Sequence, residues 1–348
     1  MSTTNNKHEK TPCIPAVHPD RCDGQSLQLQ KETEQPPAQN QSAGCKKIEE
    51  THPVHIYRYD QALFNLPQKN LEKELDSLKA DYAFFLGDHP SIPQLKAYLN
   101  DPINRRLYKE VQQKYGDLSE LEKAFQEAFA RIRYYFPKAK IPRIYTLVSG
   151  LSYETPIIYV DSVLIISLDM YMGGDYHYYK KMGEALPMFI RRRLSEEYIL
   201  PDCMKALAYQ VIHSNNTSTN ILDDMILEGK RWMFSEMVLP GINDSLICGY
   251  TTSQMQWMNA YEYDVWSFLI NKDYLYANDN LVSRKLVGEA PFTAYFGKES
   301  PGNIGSWIGW QICRSWISQN GDRPVEALFE EKNPQQILKD SKYKPTKK

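Results

Sequence analysis

Tyr209-Gln210-Val211-Ile212-His213, followed at a distance by Glu228-Gly229, is the stretch on which the reading of this chain turns. Positions four apart lie on one face of a helix, so Tyr209 and His213 share a face with Gln210 beside it. At that spacing, in the pattern H-E-x-x-H, two imidazoles hold one zinc ion and the Glu between them activates a bound water. A Glu from the following helix supplies the third ligand in one branch of such sites. Here His213 stands in the place of the second imidazole and Glu228 in that of the third ligand, while Tyr209 replaces the first imidazole and Gln210 the base.

The two replacements differ in kind. A phenol, with an ordinary pKa of about 10, must lose its proton to bind zinc well, which disfavours it near neutral pH. A neutral amide takes no proton from water at any relevant pH, so even an occupied site lacks its general base. The expectation is a vestigial active-site cleft around Tyr209, Gln210, His213 and Glu228, with no catalytic residue, no metal and no cofactor. On its own the pattern also fits four polar residues meeting by chance on two amphipathic helices.

The 348 residues suffice for a sizeable core. With 41 basic against 43 acidic residues there is no bulk field to favour nucleic acid or an acidic substrate. Short basic runs such as Arg191-Arg192-Arg193 read as solvated helix faces. The 24 tyrosines, 12 phenylalanines and 6 tryptophans suit an ordered protein with wide amphipathic contacts. None of the six cysteines has C-x-x-C spacing, so neither a zinc knuckle nor a redox pair is indicated, and Cys203, Cys248 and Cys313 read as buried thiols.

Residues 1–50 are polar and lack apolar periodicity, which predicts a disordered tail. Within it Ser42-Ala43-Gly44-Cys45 looks like the end of a bacterial lipoprotein signal, with Cys45 as the lipid attachment site. The segment Gln30 to Gln41 before it is polar throughout and does not supply the apolar h-region that export needs. No run of 18 apolar residues marks a transmembrane helix.

Residues 51–348 read as a single domain. The pattern turns helical from about residue 53, with one stripe on Leu71, Leu75, Leu78 and Tyr82 and another on Leu121, Phe125, Phe129 and Ile132. Ser119 and Glu122 predict a capping box for the second helix, and Pro137 its stop. Three β-type runs follow, at 143–148, 156–160 and 163–168, the last two joined by Asp161-Ser162 in a hairpin. Helices then run to the end. This order predicts a predominantly helical α+β fold with a small, mainly antiparallel sheet.

In the helix predicted over 255–270, Glu262 and Trp266 are one turn apart, which aims Glu262 at the core or its edge; it joins the cleft residues as a candidate base, though a structural hydrogen-bond hub is the commoner role. Gly302, Gly305 and Gly309 lack dinucleotide-binding spacing and read as close helix packing. His177 and Asp224 are alternative metal ligands.

Several segments occur together in one order: Tyr134-Tyr135-Phe136-Pro137 leading to Pro142-Arg143-Ile144-Tyr145-Thr146, Ile166 to Gly173, Met225 to Lys230, Gly249-Tyr250-Thr251, Ala290-Pro291-Phe292, Ser300 to Gly305 and Ser341 to Pro345. In this the chain resembles the gliding-motility lipoprotein GldB family of Bacteroidota, from about residue 53 to 345. The resemblance implies a cell-envelope lipoprotein, anchored in the outer membrane through Cys45 and facing the periplasm, with a distantly zincin-like domain. It implies Tyr209 to His213 on the former active-site helix and Glu228 on the next.

The expected function is a non-catalytic envelope lipoprotein, a pseudoenzyme with a binding or assembly role in the gliding machinery, whose partner is an envelope protein or peptide and not nucleic acid. Two alternatives stand beside it. One is a metal-dependent peptidase or hydrolase using His213, Glu228 and a third ligand such as His177 or Asp224, with Glu262 as base. The other is a cytoplasmic interaction protein without export.

Overall fold

Ile56–Arg58 form β1 (Ile56–Arg58), a strand of three residues where the sequence pattern predicts helix. The computed structural model describes residues 52–87, 90–212 and 219–347. The expected tail, Cys45 and His213 therefore lie outside the described residues. By its contacts Lys46–Lys348 groups as one unit.

After β1 come α1 (Leu71–Leu86), α2 (Pro102–Lys114) and α3 (Ser119–Tyr135). Leu71 and Leu75 of the first apolar stripe are buried, as are Phe125, Phe129 and Ile132 of the second. α3 ends just before Pro137, where a helix cannot continue. The capping box does not form at its start. Ser119 already lies in the first turn, its amide donating to Asp117 Oδ1 at 2.9 Å, and the Glu122 carboxylate accepts instead from the amide of Ile56 at 2.8 Å. An amide at the start of a strand has no ladder partner, and Glu122 supplies one.

β2 (Arg143–Leu147), β3 (Ile157–Val160) and β4 (Val163–Ser167) complete a sheet of order β1-β2-β4-β3. The hairpin is as expected. Val160 faces Val163, and both Asp161 (φ 48°) and Ser162 (φ 65°) are left-handed, as a two-residue hairpin turn of the primed type requires.

The rest of the sheet corrects the expectation of a mainly antiparallel one. β1 pairs with β2, and β2 with β4, in parallel, so only the β3–β4 pairing is antiparallel. The sheet is mixed because β1 docks Ile56 beside Ile144 from far away in sequence. Ile56, Ile144, Leu164 and Ile166 face the larger core. On the other face Tyr57 and Tyr145 stack at 5.1 Å beneath Tyr82 of α1.

One buried carboxylate welds β1 to its neighbours. Asp60 takes Arg58 Nη2 at 2.7 Å, Thr146 Oγ1 at 2.6 Å and Gln112 Nε2 at 2.8 Å, while Arg58 Nη1 reaches the Tyr115 carbonyl at 2.7 Å. A charge this buried persists only when each lone pair has a donor, which is the case here.

Beyond the sheet run α4 (Ile199–Val211), α5 (Ile221–Val238), α6 (Thr252–Asn271), α7 (Asn280–Val287), α8 (Ile304–Gln319) and α9 (Pro334–Ser341). α5 is the shared element: Phe234 and Val238 enter the core beneath the sheet, Met225 and Ile226 a second core around Trp307 and Trp310. α5 and α8 cross at Gly229 and Gly309. A Cβ built on Gly309 would strike the Met225 carbonyl, and one on Gly229 would lie 2.6 Å from Trp310 N. Close helix packing is therefore the role of Gly309, as the sequence suggests, and of Gly229 as well.

Candidate functional site

α4 and α5 lie side by side and bring Tyr209 and Glu228 together. Tyr209 Oη donates to Glu228 Oε2 at 3.3 Å, and the Arg231 guanidinium, one turn on, pairs with Glu228 and stacks 3.9 Å from the centre of the Tyr209 ring. Burial, and secondarily the Glu228 charge, push the Tyr209 phenol up to about 12 against the opposing pull of Arg231. The phenol stays protonated at neutral pH, and Glu228 already has a cation and a hydroxyl as partners.

The other residues named from the sequence do not join this pair. Gln210 is one position on from Tyr209, so about 100° of helical rotation puts it on another face. Glu262 on α6 accepts from Tyr343 Oη at 2.7 Å and Trp307 Nε1 at 3.4 Å, which makes it a clasp for the C-terminal segment. Asp224 accepts from Ser283 Oγ and ties α5 to α7. His177 opens a short helix and packs its ring against Tyr176 and Tyr178, at 4.8 and 4.2 Å. Among the described residues no group of three or more His, Cys, Asp or Glu side chains could hold a metal ion, and His213 is not one of those residues.

Gln210 opens instead into a cleft of about 1090 Å³. Leu207, Gln210 and Val211 line it from α4, and Asp223, Ile226, Leu227 and Lys230 from α5. These sets follow i, i+3, i+4 spacing, so each helix gives the cleft one face. The opposite walls are the segment from Phe136 to Lys140, the hairpin residues Tyr159, Asp161 and Ser162, and the stretch from Phe329 to Lys332. Charges of both signs occur on these walls, Lys138 and Lys140 against Asp161 and Glu330 among them.

Two features of the cleft escape a motif search. β3 is an edge strand, and the bond from the Ser167 amide to the Pro156 carbonyl, 2.9 Å, sets the parity of its ladder. In an antiparallel pair bonded positions alternate with non-bonded ones, so Ile157 and Tyr159 direct their N–H and C=O groups to the free edge. The second is Lys230. It is 7 % exposed, and its ammonium donates to the Glu331 carbonyl at 2.7 Å; burial lowers its pKa. The signal for Lys230 was the 223/226/227/230 period, which lies off the Glu228 face.

A family model described as gliding motility protein GldB matches residues 40–345. The chain belongs to the GldB family. The match takes in the sheet, the cleft and every candidate residue discussed above. Neither curated proteins nor solved structures give a match. Membership in the GldB family points to a lipoprotein associated with gliding motility and to the cell envelope. No described helix is long and apolar enough to cross a membrane.

Proposed function

We propose that this GldB family member is a non-catalytic, distantly zincin-like envelope lipoprotein, attached through Cys45, that serves as a binding or assembly component by receiving an extended partner segment in the cleft. The observation that carries the non-catalytic reading is the closed trio of Tyr209, Glu228 and Arg231. Arg231 occupies Glu228 with a fixed positive charge, and a second cation beside it would meet that charge at close range. Gln210, the residue in the place of the base, offers an amide. The free edge of β3 supports the peptide part of the reading, because an extended chain can add to such an edge by main-chain hydrogen bonds while pockets alongside choose its side chains.

Elemental analysis of purified protein tests the chemistry. Wild type is expected to contain no stoichiometric zinc and to cleave no peptide. The Tyr209→His, Gln210→Glu, Arg231→Ala triple change is expected to gain zinc, and zinc-dependent cleavage by the wild type would overturn the reading. Metabolic labelling with a fatty acid, followed by fractionation, tests the location. Label in the membrane fraction that disappears in Cys45→Ser supports the lipoprotein, whereas unlabelled protein in the soluble fraction favours the cytoplasmic alternative.

A further inference from the structure

Among the described residues Lys230 is the one buried lysine on the cleft wall, and the partners they give it are incomplete. An ammonium has three N–H donors, and only the bond to the Glu331 carbonyl uses one among the described residues. Among the described residues no carboxylate oxygen lies within ion-pairing distance of it. The Glu331 carboxylate acts only from farther off, and its Oε1 already accepts from the Asn333 amide at 2.8 Å. Cys313 on α8, a fully buried thiol whose own pKa is pushed up to about 12, provides no negative charge at neutral pH.

A buried cation without a counter-ion is costly, and such groups are found paired, bound to a ligand, or neutral. Asp223, the acid two helical turns away on the same wall, has other partners: its Oδ2 accepts from the Thr219 amide and hydroxyl at 2.8 and 2.9 Å. The site thus offers a positive group in a low-dielectric wall next to a cleft large enough for several residues of peptide.

We propose that Lys230 is the anchor for a carboxylate, at a chain terminus or on an Asp or Glu side chain, of the peptide segment that the cleft receives. This rests on the binding reading above and names the chemistry of its ligand. A carboxylate at Lys230 Nζ would supply the missing counter-charge and accept the unused donors, and a charge-assisted hydrogen bond in a dry setting is among the stronger polar contacts. An amide or hydroxyl in the same place would leave the cation uncompensated, so the site discriminates between them.

The test uses small probes that are too short to add a strand. The full chain, labelled with carbon-13 in lysine, is titrated with N-acetylglycine for a terminal carboxylate, N-acetylaspartic acid α-amide, whose single acid is the side-chain carboxyl, for the other source, and N-acetylglycinamide as the neutral control. The Lys230 ε-methylene signal, assigned by its loss in Lys230→Arg, is expected to move saturably with at least one acid and not with the amide. The larger response identifies the source. The bound acid is also expected to raise the pKa of Lys230, because it favours the charged form, a response that a purely structural lysine would not give.

Lys230→Met is expected to weaken acid binding at least about tenfold, followed by the shifts of neighbouring Ile226 and Leu227 methyls, and Lys230→Arg, the folded control that keeps the charge, is expected to retain it. Equal response to acid and amide, or binding by Lys230→Met as tight as by wild type, overturns the anchor. The strand-addition reading fails separately, when peptides selected for binding leave hydrogen exchange at Ile157 and Tyr159 unchanged.

Discussion

Replacing Gly309 by alanine sets two physical effects of opposite sign against each other. In an ordinary helix the change stabilises, since alanine is favoured over glycine by about 1 kcal/mol in a helix interior. In α8 the added methyl points into α5, where it would sit 2.5 Å from the carbonyl carbon of Met225, and its contact with the carbonyl oxygen is closer still. Ordinary van der Waals separation begins near 3.4 Å, so the two helices must part by about an ångström where they cross.

The obstacle is backbone, which has no rotamer to change. The cost therefore falls at or above the upper end of the usual range for overpacking, about 3–4 kcal/mol, and the propensity gain leaves a net loss of about 2–3 kcal/mol. For a domain of this size that is a fall in Tm of roughly 3–5 °C. Urea and thermal melts of the wild type and Gly309→Ala measure it. Gly229→Ala is expected to behave alike, and the double variant to lose less than the sum, because helices already parted for one methyl accommodate the second. A Gly309→Ala protein as stable as wild type would refute the close crossing, since propensity alone predicts that result.

Three further outcomes follow from features described above. Asp60→Ala strands Arg58, Thr146 and Gln112 in a buried setting, and a loss of about 3–5 kcal/mol in urea unfolding is expected; a change below 1 kcal/mol would show that the network does not hold β1. Ser162→Gly relieves a left-handed residue in the hairpin turn and should add about 0.5–1 kcal/mol, whereas destabilisation would contradict the turn geometry. Burial pushes Cys248 and Cys313 up to about 12, so both should resist iodoacetamide at pH 8 in native protein and react after denaturation, as peptide mapping would read; fast native labelling of either contradicts its burial.

What could be read from the sequence was local. The stripe Leu121, Phe125, Phe129 and Ile132 gives α3 because its partners are one turn away, and Asp161-Ser162 gives the hairpin because the turn chemistry sits between the strands it joins. β1 was illegible for the opposite reason. Three residues carry no period, and what makes them a strand is Ile144, whose side lies 88 residues on in the chain. The capping box failed on the same ground, since Glu122 answers to the Ile56 amide and not to its own helix. At the site, Tyr209 meets Glu228 across two helices, but a motif reports only the face it occupies. The cleft opens on the adjacent faces, so Gln210 and Lys230 reach it while Glu262 is held elsewhere by Tyr343 and Trp307.

The position of β1 has a mechanical side. Among the described elements, a pull delivered from the N-terminal direction arrives first at Ile56–Arg58, ahead of the helices. There it meets the Glu122 clamp on the leading amide and the Asp60 knot two residues past the strand's end. The parallel register with β2 loads several main-chain bonds in shear rather than peeling them one at a time. A short strand that contributes little area to the core is thus braced against traction by side chains from outside it.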